Sequence, residues 1–169
     1  MTGLTYYKSP VGLLSITTDG EAITSLLFVN SWKGPQADEA KIKITKPKNE
    51  LLQNCIQQLD GYFAGKRKVF DLPLRQEGTV FQQQVWEQLT HISYGKTISY
   101  LELSKRINNV KAIRAVGTTN GNNKIAIIVP CHRVIGSNGD LVGFGGGLWR
   151  KKWLLEHENK YEHGVQTLF

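Results

Sequence analysis

The sequence predicts an α+β fold, in which a small N-terminal sheet domain at residues 1–78 packs on a mainly helical C-terminal domain at residues 79–169. The length of 169 residues suits one compact body or two small subdomains. Residues 4–28 alternate between apolar and polar side chains and contain Ser-Pro and Asp-Gly turn pairs, a pattern typical of antiparallel strands. Residues 79–119 instead carry apolar side chains at helical spacing behind capping residues.

The N-terminal domain is predicted to contain two or three antiparallel strands, one helix and a further short strand. A helix should follow the Lys-rich stretch 33–48, because the apolar residues after it have the spacing of one face of a helix: Leu51, Leu52, Cys55, Ile56, Leu59, Tyr62 and Phe63. Cys55 is interpreted as a small residue of the core. From Gly65 to Gly78 we expect a linker that holds a short strand at Val69 to Leu72.

The C-terminal domain should open with a core-facing helix that ends before the Tyr94-Gly95 pair. Thr79 and Gln82 have the spacing of a capping box, in which each side chain bonds the other residue's backbone N–H. The apolar series behind them has helical spacing: Phe81, Val85, Leu89 and Ile92.

Two short helices joined by a polar turn are predicted next. Ser99 and Glu102 form a second capping box for a helix that runs through Ile107, an Asn-Asn pair breaks it, and Lys111 to Thr119 form the next helix. Such a pair resembles a helix-turn-helix, although similar pairs also occur in purely structural cores.

The charge of the chain suggests an anionic partner. The 21 basic and 14 acidic side chains give a net charge of +7, and most of the excess lies in the second half of the chain. Between residues 96 and 114 a single acid, Glu102, stands among five cations: Lys96, Lys105, Arg106, Lys111 and Arg114. Phosphate binding and a merely solvated helix face both fit this cluster.

Several classes of protein are excluded by composition. The longest apolar runs, such as residues 125–129, are far shorter than the roughly 20 residues of a membrane span, and the N-terminus lacks the features of a secretory signal. Cys55 and Cys131 are too few for a disulfide framework and lack the short spacing of zinc ligands. We therefore expect a cytoplasmic protein with free thiols, no metal, no cofactor and no membrane partner.

The residues that suggest chemistry surround Cys131. The apolar run 125–129 is predicted to be a buried, strand-like element that ends beside Cys131, His132 and Arg133. A thiol becomes a good nucleophile when a nearby base or positive charge lowers its pKa, and His132 and Arg133 are the neighbouring groups of that kind. An inert buried cysteine beside a surface histidine is the alternative.

A glycine-rich loop and a helix follow this segment. Six glycines between residues 136 and 147, interrupted by Phe144, leave room to wrap a flat aromatic object. A helix is predicted from Leu148 to about His157, and Glu158 lies on or at the edge of its apolar face. A carboxylate there needs a partner, and His132 is a natural one, so that cysteine, histidine and glutamate would form a relay. Alternatively, Glu158 is a solvated charge at the end of the helix.

These motifs together resemble the O6-alkylguanine-DNA alkyltransferases, also called methylated-DNA-protein-cysteine methyltransferases. The resemblance rests on the stretch Pro-Cys-His-Arg-Val at residues 130–134, on Asn123 eight residues before the cysteine, and on Gly-Gly-Leu followed by Trp-Leu-Leu-x-His-Glu. It covers residues 79–159 strongly, and the opening Tyr7-x-Ser9-Pro10-x-Gly12 agrees more loosely. The resemblance implies a ribonuclease-H-like N-terminal domain and a monomer that acts on double-stranded DNA carrying O6-alkylguanine; O4-alkylthymine is left open.

The resemblance also implies roles for individual residues. Cys131 would accept the alkyl group in a single turnover, His132 would deprotonate it through a water, and Glu158 would orient His132. Asn123 would hold the turn, and Tyr100 would contact the guanine or its rotated phosphate. The DNA contacts would come from Arg114, inserted into the base stack, with Lys111, Ala115, Thr118 and Arg133, and the pocket would be lined by Val134, Phe144, Gly145 and Gly146.

Two departures and two alternatives accompany this interpretation. Phe144 stands where some members have tyrosine, and Gly145 where some have a serine that contacts the guanine oxygen, so the substrate preference is open. A non-catalytic module that binds alkylated bases would not need Cys131, His132 and Glu158. A cysteine hydrolase using the same three residues would leave the basic helix pair unexplained.

Overall fold

The computed structural model describes residues 2–164 and divides into two compact units, one ending at Gln76 and the other beginning at Glu77. The first unit is built on an antiparallel sheet and the second is mainly helical. The predicted α+β fold class is confirmed. The sequence prediction placed the domain boundary after residue 78.

The sheet of the first unit contains three strands in chain order: β1 (Gly3–Ser9), β2 (Gly12–Thr18) and β3 (Ile23–Phe28). A tight turn joins β1 to β2, and Gly12 after it has a φ of 112°, which a side chain would strain. Leu14 and Ile16 on the central strand are fully buried. These strands match the two or three predicted from the alternation of residues 4–28.

A single long helix, α1 (Glu50–Phe63), packs on β1 and β2. Asn49 caps it by accepting a hydrogen bond from the Leu52 backbone N–H at 3.0 Å. Cys55 is fully buried on this helix, and burial raises the pKa of its thiol to about 12. Cys55 is therefore a neutral side chain of the core.

The prediction of a short strand at Val69 to Leu72 is wrong. The Gln58 side chain holds both backbone groups of Asp71: its Oε1 accepts from the Asp71 N–H at 2.8 Å, and its Nε2 donates to the Asp71 carbonyl at 2.9 Å. A backbone bound in this way is not available to a neighbouring strand. The pairing occurs slightly later in the chain, as an isolated parallel bridge between Ile23 and Leu74.

The second unit opens with α2 (Val80–Leu89), whose predicted capping box is present in both directions. The Thr79 hydroxyl accepts from the Gln82 N–H at 3.1 Å, and the Gln82 side chain accepts from the Thr79 N–H at 2.9 Å. Trp86 joins α2 to a later helix by donating from Nε1 to the Thr119 carbonyl at 3.0 Å.

The helix pair consists of α3 (Tyr100–Arg106) and α4 (Ile113–Gly121), with a 3₁₀ turn at Val110–Ala112 between them. Only half of the second predicted capping box forms. Ser99 accepts from the Glu102 N–H at 3.0 Å, but the Glu102 carboxylate lies 3.5 Å from Arg106 Nε, one helical turn ahead. The Glu102 carboxylate thus pairs with Arg106 instead of accepting a hydrogen bond from the Ser99 backbone N–H.

The second unit also contains two short parallel strands, β4 (Ile98–Ser99) and β5 (Val134–Ile135), and the helix α5 (Leu148–His163). The last helix ends at His163, six residues later than predicted, and Gly164 after it has the left-handed conformation common after helices. Within residues 2–164, no helix is long and apolar enough to cross a membrane. The same residues contain no group of three or more His, Cys, Asp or Glu side chains that could hold a metal ion.

Candidate active site

The apolar run before Cys131 is buried, but it forms a compact turn and not the predicted strand-like element. Asn123 holds this turn from inside: its Nδ2 donates to the carbonyls of Ile125 (3.2 Å) and Val129 (2.8 Å), and its Oδ1 accepts from the Ile125 N–H (3.1 Å). Ile127 has a φ of 69°, a strained conformation for a β-branched residue. Asn123 therefore fixes the direction in which the chain enters the site.

The turn delivers the chain into a 3₁₀ turn at Cys131–Arg133, all three residues of which are buried. Burial raises the pKa of Cys131 above its ordinary value, and this outweighs the opposing effects of a hydrogen bond from Asn123, the charge of Lys151 and the N–H groups of Cys131 and His132. The expected lowering by neighbouring groups is therefore present, but burial makes the net change in the Cys131 pKa upward. The thiol is protonated at neutral pH and needs a proton acceptor before it can react.

A buried ionic cluster lies directly beside Cys131. His132 Nε2 is 2.6 Å from Glu158 Oε2, and Arg133 bonds both carboxylate oxygens, Nε to Oε1 at 2.7 Å and Nη2 to Oε2 at 3.1 Å. The Gly95 N–H adds a further donor at 3.2 Å from Oε1. Glu158 is completely buried, so the interpretation as a solvated helix-end charge does not apply.

The cluster fixes the protonation of its members. Burial alone would raise the pKa of Glu158, but the His132 and Arg133 side chains hold it well below its ordinary value. Burial lowers the pKa of His132 in spite of the nearby carboxylate. We therefore assign an ionised Glu158, balanced by Arg133, and a neutral His132. Because a carboxylate can only accept, Nε2 carries the imidazole hydrogen and Nδ1, which has no hydrogen-bond partner among the described residues, is left as an acceptor.

Arg133 does not lie on a DNA-binding surface, and that prediction is corrected. It is 6% exposed, and besides its two bonds to Glu158 its Nη1 donates to the Ile92 carbonyl at 2.6 Å. A guanidinium committed in this way is not available to phosphates. The cluster needs its charge to balance Glu158 in a buried environment.

Lys151 is a site residue that the sequence analysis missed. It is fully buried, and its Nζ donates to the carbonyls of Val134 (2.6 Å) and Val142 (2.7 Å) while lying 5.8 Å from the centre of the Tyr100 ring. Burial lowers its pKa to about 8, so it is largely charged at neutral pH. Its ammonium ties the glycine-rich loop to the Cys131 segment and places a positive charge near the thiol.

A helical pattern in the sequence contained the signal for Lys151. It precedes Leu154 by three residues, Leu155 by four and Glu158 by seven, so all four share one face of α5. The same apolar face that indicated the burial of Glu158 therefore also places Lys151 inside. Local sequence carries no comparable signal for Arg133, whose partner Glu158 is 25 residues away.

Tyr100 and Asn120 form the other side of the site. The Tyr100 hydroxyl donates to the Val142 carbonyl at 3.0 Å, so this carbonyl accepts from both Tyr100 and Lys151. Burial, followed by the neighbouring Cys131, raises the pKa of Tyr100 to about 12. Asn120 donates to the Cys131 carbonyl at 3.3 Å, and its buried Oδ1 has no partner among the described residues.

The predicted pocket residues differ in accessibility. Phe144 and Gly145 are partly exposed in the loop, whereas Val134 and Gly146 are buried. A Cβ added at Gly145 would meet no atom within 4 Å. The loop at this position is therefore open, and its glycine leaves space that a serine would occupy.

The predicted DNA-contact residues of the helix pair share one exposed surface. Arg114, Ala115 and Thr118 lie on the side of α4 opposite its buried residues, and Lys111 is exposed in the preceding 3₁₀ turn. Close approach by a partner is possible because the side chains beside Arg114 are short. The structure does not bring these residues into the Cys131 cluster.

Two family models together match most of the chain. Residues 4–76 match the ribonuclease-like domain of 6-O-methylguanine DNA methyltransferase, and residues 80–160 match the DNA binding domain of the same family.

Known proteins are similar to the chain over almost its whole length. The methylated-DNA-protein-cysteine methyltransferase of Haemophilus influenzae is 45% identical over 161 residues, which cover 94% of this chain and 88% of the relative. The protein of the same name from Methanosarcina acetivorans is 45% identical over 152 residues, which cover 90% and 95%. Among solved structures, that of Mycobacterium tuberculosis OGT in complex with DNA is 41% identical, with a TM-score of 0.82 and coverage of 94% of this chain and 93% of that chain.

Proposed function

The chain belongs to the 6-O-methylguanine DNA methyltransferase family, and from that premise we propose that it repairs DNA by transferring the alkyl group of O6-alkylguanine irreversibly to Cys131. Each molecule acts once, because the thioether formed at the cysteine is not returned to a thiol by simple hydrolysis. We place this reaction in the cytoplasm and assign it to a monomer. The two free thiols favour such a reducing compartment.

The environment of Cys131 is the observation that carries the proposal. The buried Cys131 thiol is next in sequence to His132, a neutral histidine whose Nε2 is hydrogen-bonded to the ionised Glu158. Lys151 supplies a positive charge near the thiol. These groups favour a thiolate when a proton acceptor is engaged.

Deprotonation is the first step of the proposed reaction. His132 Nδ1 accepts the thiol proton through one bridging water, while its Nε2–H stays bonded to Glu158. The carboxylate stabilises the imidazolium that forms, and Lys151 stabilises the thiolate. Among the described residues no hydrogen bond joins the Cys131 thiol directly to the imidazole, in contrast with the hydrolase arrangement.

Alkyl transfer then occurs at a saturated carbon. The thiolate sulfur forms a bond to the alkyl carbon, the bond from that carbon to guanine O6 breaks, and its electron pair stays with the base. The base must gain a proton, and Tyr100 is the proposed donor, regaining its own proton from solvent. Its raised pKa keeps the hydroxyl protonated at neutral pH, as this role requires.

Reaction on duplex DNA also requires extrusion of the damaged nucleotide. Flipping costs a few kcal/mol, which contacts elsewhere must offset. We assign Arg114, exposed on α4 and without a hydrogen bond or ion pair among the described residues, to the gap left in the base stack. The solved complex of the Mycobacterium tuberculosis relative with DNA supports a DNA partner.

The direct test of this function maps the transferred group. The protein is incubated with a duplex containing labelled O6-methylguanine, digested and analysed by peptide mass. The expected result is one methyl group per chain, on the Cys131 peptide. Unmodified protein that still binds the duplex would support the non-catalytic module, and continued turnover beyond one group per chain would support the hydrolase.

Replacing Arg114 by alanine should slow repair of duplex DNA by roughly 10- to 100-fold, the rate equivalent of the few kcal/mol that flipping costs. The reaction of Cys131 with free O6-benzylguanine should change far less, because the free base is not flipped. Single-turnover rates with both substrates provide the measurement. Lys105→Ala, which removes an exposed cation from α3, is the matched control and should affect duplex repair only weakly. Equal losses on both substrates for Arg114→Ala would make Arg114 structural.

Replacing Lys151 by methionine should raise the pKa of Cys131 further and slow its reaction with O6-benzylguanine at neutral pH about tenfold per pKa unit. The removal of two hydrogen bonds from the loop should also lower the thermal midpoint of unfolding. The rate is measured as a function of pH, and the decisive result is a displacement of the profile to higher pH. The neighbouring Lys152→Met provides the control, because Lys152 is exposed and lies 3.9 Å from Glu156 on the surface of the helix. If the pH profile of the rate is not displaced in Lys151→Met, Lys151 acts only in packing and does not influence the pKa of Cys131.

A further inference from the structure

Trp149 is an exposed aromatic residue that the reaction described above does not use. It lies in the first turn of α5, and its side chain is 58% exposed. The neighbouring Leu148 is also exposed, at 48%, whereas Trp86 in the same unit is only 5% exposed. The indole of Trp149 is therefore not part of the core.

Two contacts hold the exposed indole in place. The Arg150 guanidinium lies 4.6 Å from the ring centre, and its Nη1 also donates to the Gly146 carbonyl at 2.9 Å. Gly147, with a φ of 93°, lets the loop backbone approach the ring, because a Cβ there would lie 3.3 Å from Trp149 Cδ1. The ring is thus braced against the glycine-rich loop before any ligand arrives.

The position of the indole relates it to the proposed DNA site. The loop that contacts it contains Phe144 and Gly145, the accessible residues of the predicted pocket. Lys151, two residues further along α5, ties the other end of that loop to the Cys131 segment. Trp149 is therefore joined through this loop to the residues of the proposed pocket.

We propose that Trp149, backed by Arg150, is a platform on which a nucleobase next to the extruded nucleotide stacks. This proposal rests on the proposed function for its partner, DNA. A flat base offers its face to the indole, and the guanidinium contributes a cation–π contact of the kind found at single-strand binding sites. A base left without its stacked neighbour after flipping is the occupant that this surface fits.

Charge and location favour DNA over a protein partner. The three residues that follow Trp149 in the chain, Arg150, Lys151 and Lys152, are all cations, and Lys151 is the buried one. Trp149 also lies within residues 80–160, which match the DNA binding domain of the family. Trp32 has a similar local character, with 82% exposure and Lys33 at 4.7 Å from its ring, but it belongs to the part that matches the ribonuclease-like domain.

The test measures binding of an undamaged, fluorescently labelled single-stranded oligonucleotide by anisotropy over a range of salt concentrations. Trp149→Ala should weaken binding at least about fivefold, as loss of one base–aromatic stack does. Trp149→Phe, which keeps a ring on the platform, should bind within about threefold of the parent and carries the test if the alanine variant does not fold. Trp32→Ala is the matched control and should bind like the parent.

The salt dependence separates stacking from charge. Stacking releases no counterions, so the slope of log affinity against log salt should be unchanged in Trp149→Ala although the affinity falls. Affinity within twofold of the parent, a fall in the salt slope, or an equal loss in Trp32→Ala would each overturn the proposal. The measurement does not involve alkyl transfer, so failure of the platform and failure of the Cys131 assignment give different results.

Discussion

Replacing Cys131 by serine is expected to abolish alkyl transfer while DNA binding remains within about threefold of the parent. Loss of the nucleophile slows enzymes that use one by factors on the order of 10⁶. A hydroxyl is a far weaker nucleophile than a thiolate at neutral pH, and the proposed DNA-contact residues Arg114, Ala115 and Thr118 lie on α4, outside the Cys131 cluster. Transfer of label from O6-methylguanine DNA to protein measures the first effect, and anisotropy with the same duplex measures the second.

The second cysteine makes this experiment specific. Cys55 is fully buried with a pKa of about 12, so it should stay unmodified in both the parent and the variant. Cys55→Ala creates only a small cavity in the first unit, which does not contain Cys131. This variant should therefore still accept one alkyl group per chain. Label on Cys55 in the Cys131→Ser protein would refute the assignment of the acceptor.

Replacing Glu158 by glutamine should reduce both stability and rate. The Glu158 carboxylate balances the charge of Arg133. Removing one member of a buried ion pair typically lowers the free energy of unfolding by about 3–5 kcal/mol. We expect a loss of about 3 kcal/mol here, because glutamine keeps the side-chain volume and part of the hydrogen bonding. The basicity of His132 should also fall, so the rate of Cys131 alkylation near neutral pH should drop about tenfold or more and its profile should move to higher pH. DNA affinity should be almost unchanged.

The pH dependence of stability gives a second measurement of Glu158. Its pKa is lowered in the folded protein, so its stabilisation is present above the unfolded value of about 4.3 and is lost as the pH falls below it. The difference in unfolding free energy between parent and Glu158→Gln should therefore narrow below about pH 4.3. His132, also with a lowered pKa, reduces the stability of both proteins below about pH 6.5. Glu156→Gln on the same helix serves as control, and a Glu158→Gln protein with parental stability and pH profile would exclude the relay.

Features with local causes were predictable from the sequence. The capping box of Thr79 and Gln82 and the apolar stripe of α1 involve residues three or four positions apart, so their signals lie within one short window. The burial of Glu158 followed in the same way from its place beside Leu154 and Leu155.

Features that depend on distant partners were not predictable. Val69 to Leu72 have strand propensity, but the side chain of Gln58, on another element, binds the backbone of Asp71 first. The run at 125–129 is apolar enough for a strand, and periodicity alone does not distinguish a short buried strand from a buried turn; the Asn123 hydrogen bonds decide it. Arg133 looks like a surface cation until α5 brings Glu158 against it.

The closed environment of Cys131 also governs which electrophiles it meets. The residue is 6% exposed, and its thiol is neutral at rest, so oxidants and alkylating agents that do not bind in the pocket as a base does meet a largely covered residue without a thiolate. A molecule that can react only once is inactivated by any such encounter. The burial that slows the intrinsic chemistry of Cys131 therefore acts as a filter, which keeps the unused protein intact until a base seated in the pocket presents its alkyl carbon.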